Sequence, residues 1–345
     1  MRILLDGIPG GGLAGNEKLK KILAGEILAG RQGHAYILEG AAGSGRHTAA
    51  LLTGAAIACT ETQEGLPFPC GVCAAYKKVL SGFSPDVITV NKGTKATIGV
   101  EQIRELRGDI YISANETERK LYIIEEAELM TPAAQNAFLL SLEEPPPHVM
   151  YLLLTRDASL LLDTIRSRAP VIRMESLSPE TMRDYLLKNV KAAQKLYKAD
   201  PAALTQLIMS ADGCLGNAIA LLEPKKAAAA LEKCELVCEL LEALRLPSMP
   251  EAYEKIISLP QKREELTDLL RLAQRALRDV LAYKNARNCP LCFFSPDDAR
   301  LSKLASKLSR QRLAALYKLF DDAIAAMKLN AGAGVLLCAM VSQKN

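Results

Sequence analysis

Apolar residues in the first half of the chain fall in short continuous runs: "YILE" at 36–39, "DVITV" at 86–90, "KLYIIE" at 120–125, "MYLLLT" at 150–155 and "PVIRM" at 170–174. Unbroken runs of this length suit strands of a mostly parallel sheet buried on both faces. Helical spacing fills the intervals, so the expected fold class is α/β. Pro145, Pro146 and Pro147 stop the helical pattern "AAQNAFLLSLEE" before the fourth run begins. After "SLSPE" at 176–180 the strand-like runs cease. The remainder is rich in Ala, Leu and Lys at helical spacing, broken at Asp200-Pro201, at "DGCLGN" (212–217), at Pro224 and at "NARNCPLCFFSPDD" (285–298). These breaks predict a sheet domain at 1–175, a small helical domain at 176–225 and a larger helical domain at 226–345.

Composition narrows the picture less than the pattern does. With 345 residues and 49% hydrophobic content the chain can bury more than one core. Lys and Arg number 43 against 39 Asp and Glu, a formal charge of +4, so no global basic field points to nucleic acid. The opening "MRILLDGIPGGG" falls short of a secretory segment, and no uncharged stretch approaches the roughly 18 residues of a membrane span. A cytoplasmic protein without membrane partners is expected. Nine cysteines in such a chain read as metal ligands, core residues or free thiols rather than disulfides.

Candidate chemistry begins at "GAAGSGRHT", residues 40–48, directly after the first run. It follows the phosphate-loop template GxxxxGK[ST], in which backbone N–H groups cradle phosphates, Lys reaches the outer phosphates and a hydroxyl holds Mg²⁺. Gly40 and Gly45 fit, with Gly43 between them, but Arg46 stands in the Lys position and His47 in the hydroxyl position. Arg brings a planar fork where a compact ammonium fits, and imidazole offers Mg²⁺ no oxygen. Thr48 comes one residue late, about 100° further around a helix. Glu125 and Glu126 end the third run, where one acid can orient Mg²⁺ and another the attacking water. Paired acids at a strand end equally mark a solvated turn.

Taken in order, "GAAGSGRHT", the cysteines "C…PCGVC", "IGVEQIREL" (98–106), "LYIIEEAELMTPAAQNAFLLSLEEPP" (121–146), "LLLTRD" (152–157) and "IRSRAPVIRM" (165–174) resemble the bacterial clamp-loader subunits of the AAA+ class, with the delta-prime subunits of DNA polymerase III as the nearest branch. The resemblance is strong over residues 20–225, and "KLNAGAGVLLCAMV" (328–341) is similar to the last helix of the family's collar, the oligomerisation domain. It implies an AAA+ P-loop-type sheet, a lid and a collar. The family's metal-holding acid falls on Glu125, its first sensor on Thr155, and its sensor arginine on Gly216. With Arg46 and His47 these departures imply a degenerate loop that does not turn over ATP and Mg²⁺. Ser167 and Arg168 fall on the family's Ser-Arg-Cys motif, with Ala169 in place of Cys, and imply an arginine finger acting in trans on a neighbouring subunit's ATP. Implied partners are the tau/gamma and delta subunits, and the sliding clamp and primed DNA through the assembled loader.

The family commonly carries four cysteines around a structural Zn²⁺. Here Cys59, Cys70 and Cys73 remain and Tyr76 takes the fourth place, leaving either a three-thiolate zinc site or a metal-free knuckle. The pair Cys289 and Cys292 in "CPLC" reads as a loop in the last domain, and Cys214, Cys234, Cys238 and Cys338 as core. His34 reads as a turn-ordering residue and His148 as a loop residue after three prolines, with no nucleophile placed for a triad. Arg104 and Arg107 are either phosphate contacts inside a ring or charges on a solvated face. The leading reading is a non-catalytic subunit of the polymerase holoenzyme's clamp loader. Its alternative is an active ATPase motor of the same assembly. A free-standing zinc module explains the cysteines but not the order of the other motifs.

Overall fold

The computed structural model describes residues 8, 11–28, 33–60, 68–246, 248–285, 291–294, 298–328 and 331–342. Five strands lie where the apolar runs predict them: β1 (Ala35–Glu39), β2 (Val87–Val90), β3 (Lys120–Ile124), β4 (Val149–Thr155) and β5 (Val171–Arg173). They form one parallel sheet in the order β2-β3-β4-β1-β5, with Ala35 opposite Tyr151 and Ile37 opposite Val171. Between and before them run α1 (Glu17–Leu28), α2 (Arg46–Ala58), α3 (Ala74–Leu80), α4 (Val100–Asp109), α5 (Pro132–Glu143) and the single turn α6 (Asp163–Arg166). The expected class, α/β with a P-loop-type parallel sheet followed by helices, is the one observed.

Successive residues of the central strands β1, β3 and β4 enter different cores, which is why those runs are continuous rather than alternating. Leu38, Ile123 and Leu152 pack with Leu52 and Ala55 of α2 on one face. Ile37, Tyr122 and Tyr151 pack with Ile103 of α4 and Phe138 of α5 on the other. Each face must exclude water, so neither set can be polar.

Only helices follow β5 among the described residues: α7 (Pro179–Asn189), α8 (Lys191–Ala199), α9 (Pro201–Ser210), α10 (Leu215–Leu221), α11 (Pro224–Ala243), α12 (Met249–Ile257), α13 (Arg263–Asn285), α14 (Ala299–Lys307), α15 (Arg310–Lys328) and α16 (Ala333–Ser342). Several start with a polar cap followed by proline, whose missing N–H costs nothing in the first turn. Ser178 caps α7 before Pro179, and Asp200 caps α9 before Pro201 by accepting from the N–H groups of Ala202 and Ala203. The chain divides into two compact units, one of residues 1–194 and 213–217, the other of residues 195–212 and 218–345. The second has its own core, built from α11 to α16 around Leu270, Leu277 and Phe320. Among the described residues no helix is long and apolar enough to cross a membrane.

Candidate functional site

The chain leaves β1 at the carboxyl edge of the sheet, where sheets of this kind hold ligands, and turns through Gly40–Gly45 into α2. Gly43 (φ 77°) and Gly45 (φ 94°) adopt left-handed backbone that side chains resist, and Gly45 is the residue at which α2 starts. The Gly40 N–H donates to the Thr155 carbonyl at 3.1 Å, tying the turn to β4. The strand, glycine turn and helix start therefore have the P-loop form.

The side chains around this turn bond to one another. His47 is exposed, and its Nε2 lies 2.8 Å from Glu125 Oε1, just past the end of β3. Hydrogen bonding to Glu125 raises the His47 pKa above its ordinary value despite partial burial, and the same bond holds Glu125 below the usual carboxylate range. Glu126 sits in left-handed backbone (φ 46°) and pairs with Lys92 at 3.0 Å. Arg46 is half-buried, and burial depresses its pKa against the attraction of Glu128. Thr48 is exposed at the same helix start. Thr155 is fully buried, and its hydroxyl donates to the Asp157 carbonyl and accepts from the Asp157 N–H, which commits it to its own turn.

A further contact closes on the glycine turn. The Gly216 N–H donates to the Gly43 carbonyl at 2.8 Å. A Cβ on Gly216 would meet Gly43 Cα at 2.8 Å, and one on Gly43 would meet Asn217 Oδ1 at 2.4 Å. The approach is a backbone-on-backbone contact that only two glycines allow, and no arginine fits at 216 in this arrangement. Neither Asn217 nor this contact is legible in the sequence, because the partners stand more than 170 positions apart.

Cys59, Cys70 and Cys73 converge, with all three Sγ atoms within 4.8 Å of one another. Cys59 directly follows α2, and Cys73 caps α3 by accepting from the Tyr76 N–H at 3.3 Å. Cys70 Sγ accepts from the N–H groups of Val72 at 3.5 Å and Cys73 at 3.3 Å. Burial works to raise the Cys70 pKa, but these donors together hold it below its ordinary value. Tyr76 is buried, and burial and the neighbouring Cys70 raise its phenol. Tetrahedral zinc with Zn–S of about 2.3 Å sets sulfurs about 3.8 Å apart, so the trio could hold a metal in three of four positions after a small contraction.

Of the other cysteines, Cys214 and Cys238 are buried as expected, and Cys234 is half-buried. Cys338 corrects the expectation: it is exposed, 3.7 Å from Tyr253 Oη. The core face of α16 is Ala333, Leu337, Met340 and Val341, and Cys338 follows Leu337 by one residue, about 100° around the helix. Cys289 lies outside the described residues. Cys292 is buried, and Asp279, a fully buried carboxylate that the sequence reading missed, accepts from the N–H groups of Cys292, Phe293 and Phe294. The carbonyls of His34 and His148 accept from the Tyr151 and Lys120 N–H groups and so extend the strand pairing. The His148 Nε2 lies 3.0 Å from the Ile110 carbonyl, and the His34 Nε2 is buried without a hydrogen-bond partner, so neither ring orders the turn that the sequence predicts for His34. Arg104 pairs with Glu101 on the exposed face of α4.

Ser167 and Arg168 occupy the opposite edge of the sheet. They precede β5, which runs parallel to β1, so the length of β1 separates them from the glycine turn, on the order of 15 Å. Arg168 Nη2 donates to Glu143 Oε1 at 2.7 Å, and Nη1 to the Thr164 carbonyl at 3.1 Å. Asp163, the nearer acid in sequence, pairs with Arg166 instead. Ala169 is fully buried beneath them.

The family described as "DNA polymerase III, delta subunit" matches residues 15–178. DNA polymerase III subunit delta' of Bacillus subtilis is 36% identical over 171 residues, 50% of this chain and 51% of that protein. Subunit tau of the same organism is 26% identical over 323 residues, 90% of this chain and 56% of that protein. The chain spans about half the length of the first curated relatives it matches. A solved DNA polymerase III gamma subunit-related protein of Thermotoga maritima covers 94% of this chain, and the chain 98% of it, at 20% identity and a TM-score of 0.40. The family match over residues 15–178 and these relatives support the chain as a member of the clamp-loader family of DNA polymerase III.

Proposed function

We propose that the chain is a non-hydrolysing clamp-loader subunit of the delta-prime type. In this reading it is a fixed member of a ring with tau/gamma and delta subunits, supports ATP-dependent loading of the sliding clamp on primed DNA, and has no ATPase activity of its own. The observation that carries the reading is the His47–Glu125 contact. A nitrogen donor stands where the Mg²⁺ hydroxyl belongs and is bonded to the acid that would orient the metal. Mg²⁺ requires oxygen ligands in near-octahedral array, and this pair supplies no place for it. The Gly216 contact with Gly43 supports the same conclusion from the backbone side.

Arg168 and Ser167 fit the complementary role. Too far from the chain's own turn to act there, the guanidinium would serve a phosphoryl group held by a neighbour, where it stabilises charge on the equatorial oxygens. The division into sheet, lid and collar domains at 1–175, 176–225 and 226–345 belongs to this proposal. So does a structural zinc on Cys59, Cys70 and Cys73, which would contribute folding energy to the knuckle and no catalysis.

A motor subunit of the tau/gamma type is the second reading, favoured by the alignment of tau over 90% of this chain. One experiment separates the two. The isolated chain should show no MgATP turnover above background, while a reconstituted ring should need the chain for full DNA-stimulated ATPase. Steady turnover by the isolated chain that disappears with Glu126→Gln overturns the first reading in favour of the second.

A further inference from the structure

Glu143 is the last residue of α5, and it reaches across to Arg168 in the turn between α6 and β5. The guanidinium is gripped on two nitrogens: Nη2 by Glu143 Oε1 at 2.7 Å, and Nη1 by the Thr164 carbonyl of α6 at 3.1 Å. Resting on the reading of Arg168 as a finger, we infer that Glu143 is its positioning residue. It holds the guanidinium in one orientation before a neighbour's phosphoryl group arrives.

The balance of effects favours positioning over fold stability. The two side chains are 36% and 44% exposed, and an ion pair so open to water adds little to folding. An untethered arginine, in contrast, must give up the rotamer freedom of a long side chain when it engages a phosphoryl group. A group ordered beforehand gives up less, and that saving appears in the rate. The place of Glu143 is itself set by local sequence: the Glu144 N–H still bonds to the Leu140 carbonyl, and the three prolines that follow cannot prolong the helix. Glu144 has the same charge one position later, which makes it an internal control.

The test uses the full chain in a reconstituted loader, with assembly followed by gel filtration and with kcat and KM for ATP measured under DNA stimulation. Arg168→Ala should lower kcat. Glu143→Ala should lower kcat about tenfold with KM and melting temperature unchanged, the size expected from restoring most of one arginine's rotamer freedom. Glu143→Gln keeps an acceptor oxygen and should recover most of that loss, and Glu144→Ala should run at the unmodified rate. Glu143→Ala rings no slower than Glu144→Ala rings, beside impaired Arg168→Ala rings, overturn the positioning role and leave the finger reading standing. A loss confined to KM, or one accounted for by a smaller assembled fraction, overturns it as well. Arg168→Ala rings at full rate overturn the finger reading itself.

Discussion

At the carboxyl edge of the sheet Glu125 is bonded to His47, Glu126 to Lys92, and the Gly43 carbonyl to the Gly216 N–H; at the amino edge Arg168 rests on Glu143 in an open surface pair. At the first edge Glu125, Glu126 and the Gly43 carbonyl are already bonded within the chain, although the buried Ser44 Oγ has no partner, so a nucleotide entering there must break several contacts before making its own. The second edge holds its cation by a pair worth about 0–1 kcal/mol. The guanidinium N–H groups that Glu143 and the Thr164 carbonyl leave free can take a phosphoryl oxygen in a stronger charge-assisted bond while Glu143 keeps its hold. The contrast teaches that occupancy of a site is decided by what the chain already bonds there. A glycine turn of correct shape is not by itself a nucleotide site.

The largest expected effect falls on the amino edge. In a ring whose other ATP sites are disabled, Arg168→Ala should lower turnover at the site it faces by about 10³-fold, the lower end of what a finger supplies. Single-turnover hydrolysis measures this, and an unchanged rate removes the contrast between the two edges.

Next comes the cysteine knuckle, which lies outside both edges. Chain purified without chelator should carry zinc, and Cys70→Ser should weaken it by more than about 100-fold, since even losses of outer-shell partners cost 10–100-fold. Competition with a chromophoric chelator gives the affinity, and circular dichroism should show the sheet intact after stripping. Metal well below one equivalent would mean that the three thiols form a metal-free turn.

At the carboxyl edge, Gly216→Ala places a methyl against Gly43. Overpacking of this kind costs about 1–3 kcal/mol, while Ala in a helix regains up to about 1 kcal/mol over Gly. The clash should win, with net destabilisation of about 1 kcal/mol read from denaturant midpoints. A stabilised variant would show that the turn has room to open.

The smallest effect is a titration. His47 should titrate above its ordinary value, followed by imidazole NMR, and return toward it in Glu125→Gln. With the folded pKa raised, the pair's contribution is fully present below the unfolded value near 6.5 and is lost as pH rises through the folded value. At the acid end it is lost when pH falls through the depressed value of Glu125. The His47 side chain is 56% exposed, so the effect on stability is minor and the chemical shift is the sensitive readout.

Much of the sheet is legible because burial on both faces forces unbroken apolar runs, and prolines mark several of their limits, as at Pro145 to Pro147. The cysteine trio is legible because its members lie close in sequence and converge around one short segment. The sequence misplaces Cys338 because one residue's step on a helix exchanges core for solvent, and α16 is apolar at nearly every position, which leaves that phase undefined.

What the sequence determines by itself is therefore the order and type of the elements, the P-loop shape of the turn after β1, and the loss of Lys and hydroxyl at Arg46 and His47. Each follows from local backbone preference, side-chain chemistry or periodicity, which neighbouring residues settle among themselves. Only the tertiary structure decides that His47 meets Glu125, that Gly216 closes on Gly43 and that Glu143 rather than Asp163 holds Arg168. These partners stand 78, more than 170 and 25 positions apart. Long-range pairing depends on how parallel strands and their crossings bring distant termini to one edge, and no local preference carries that information.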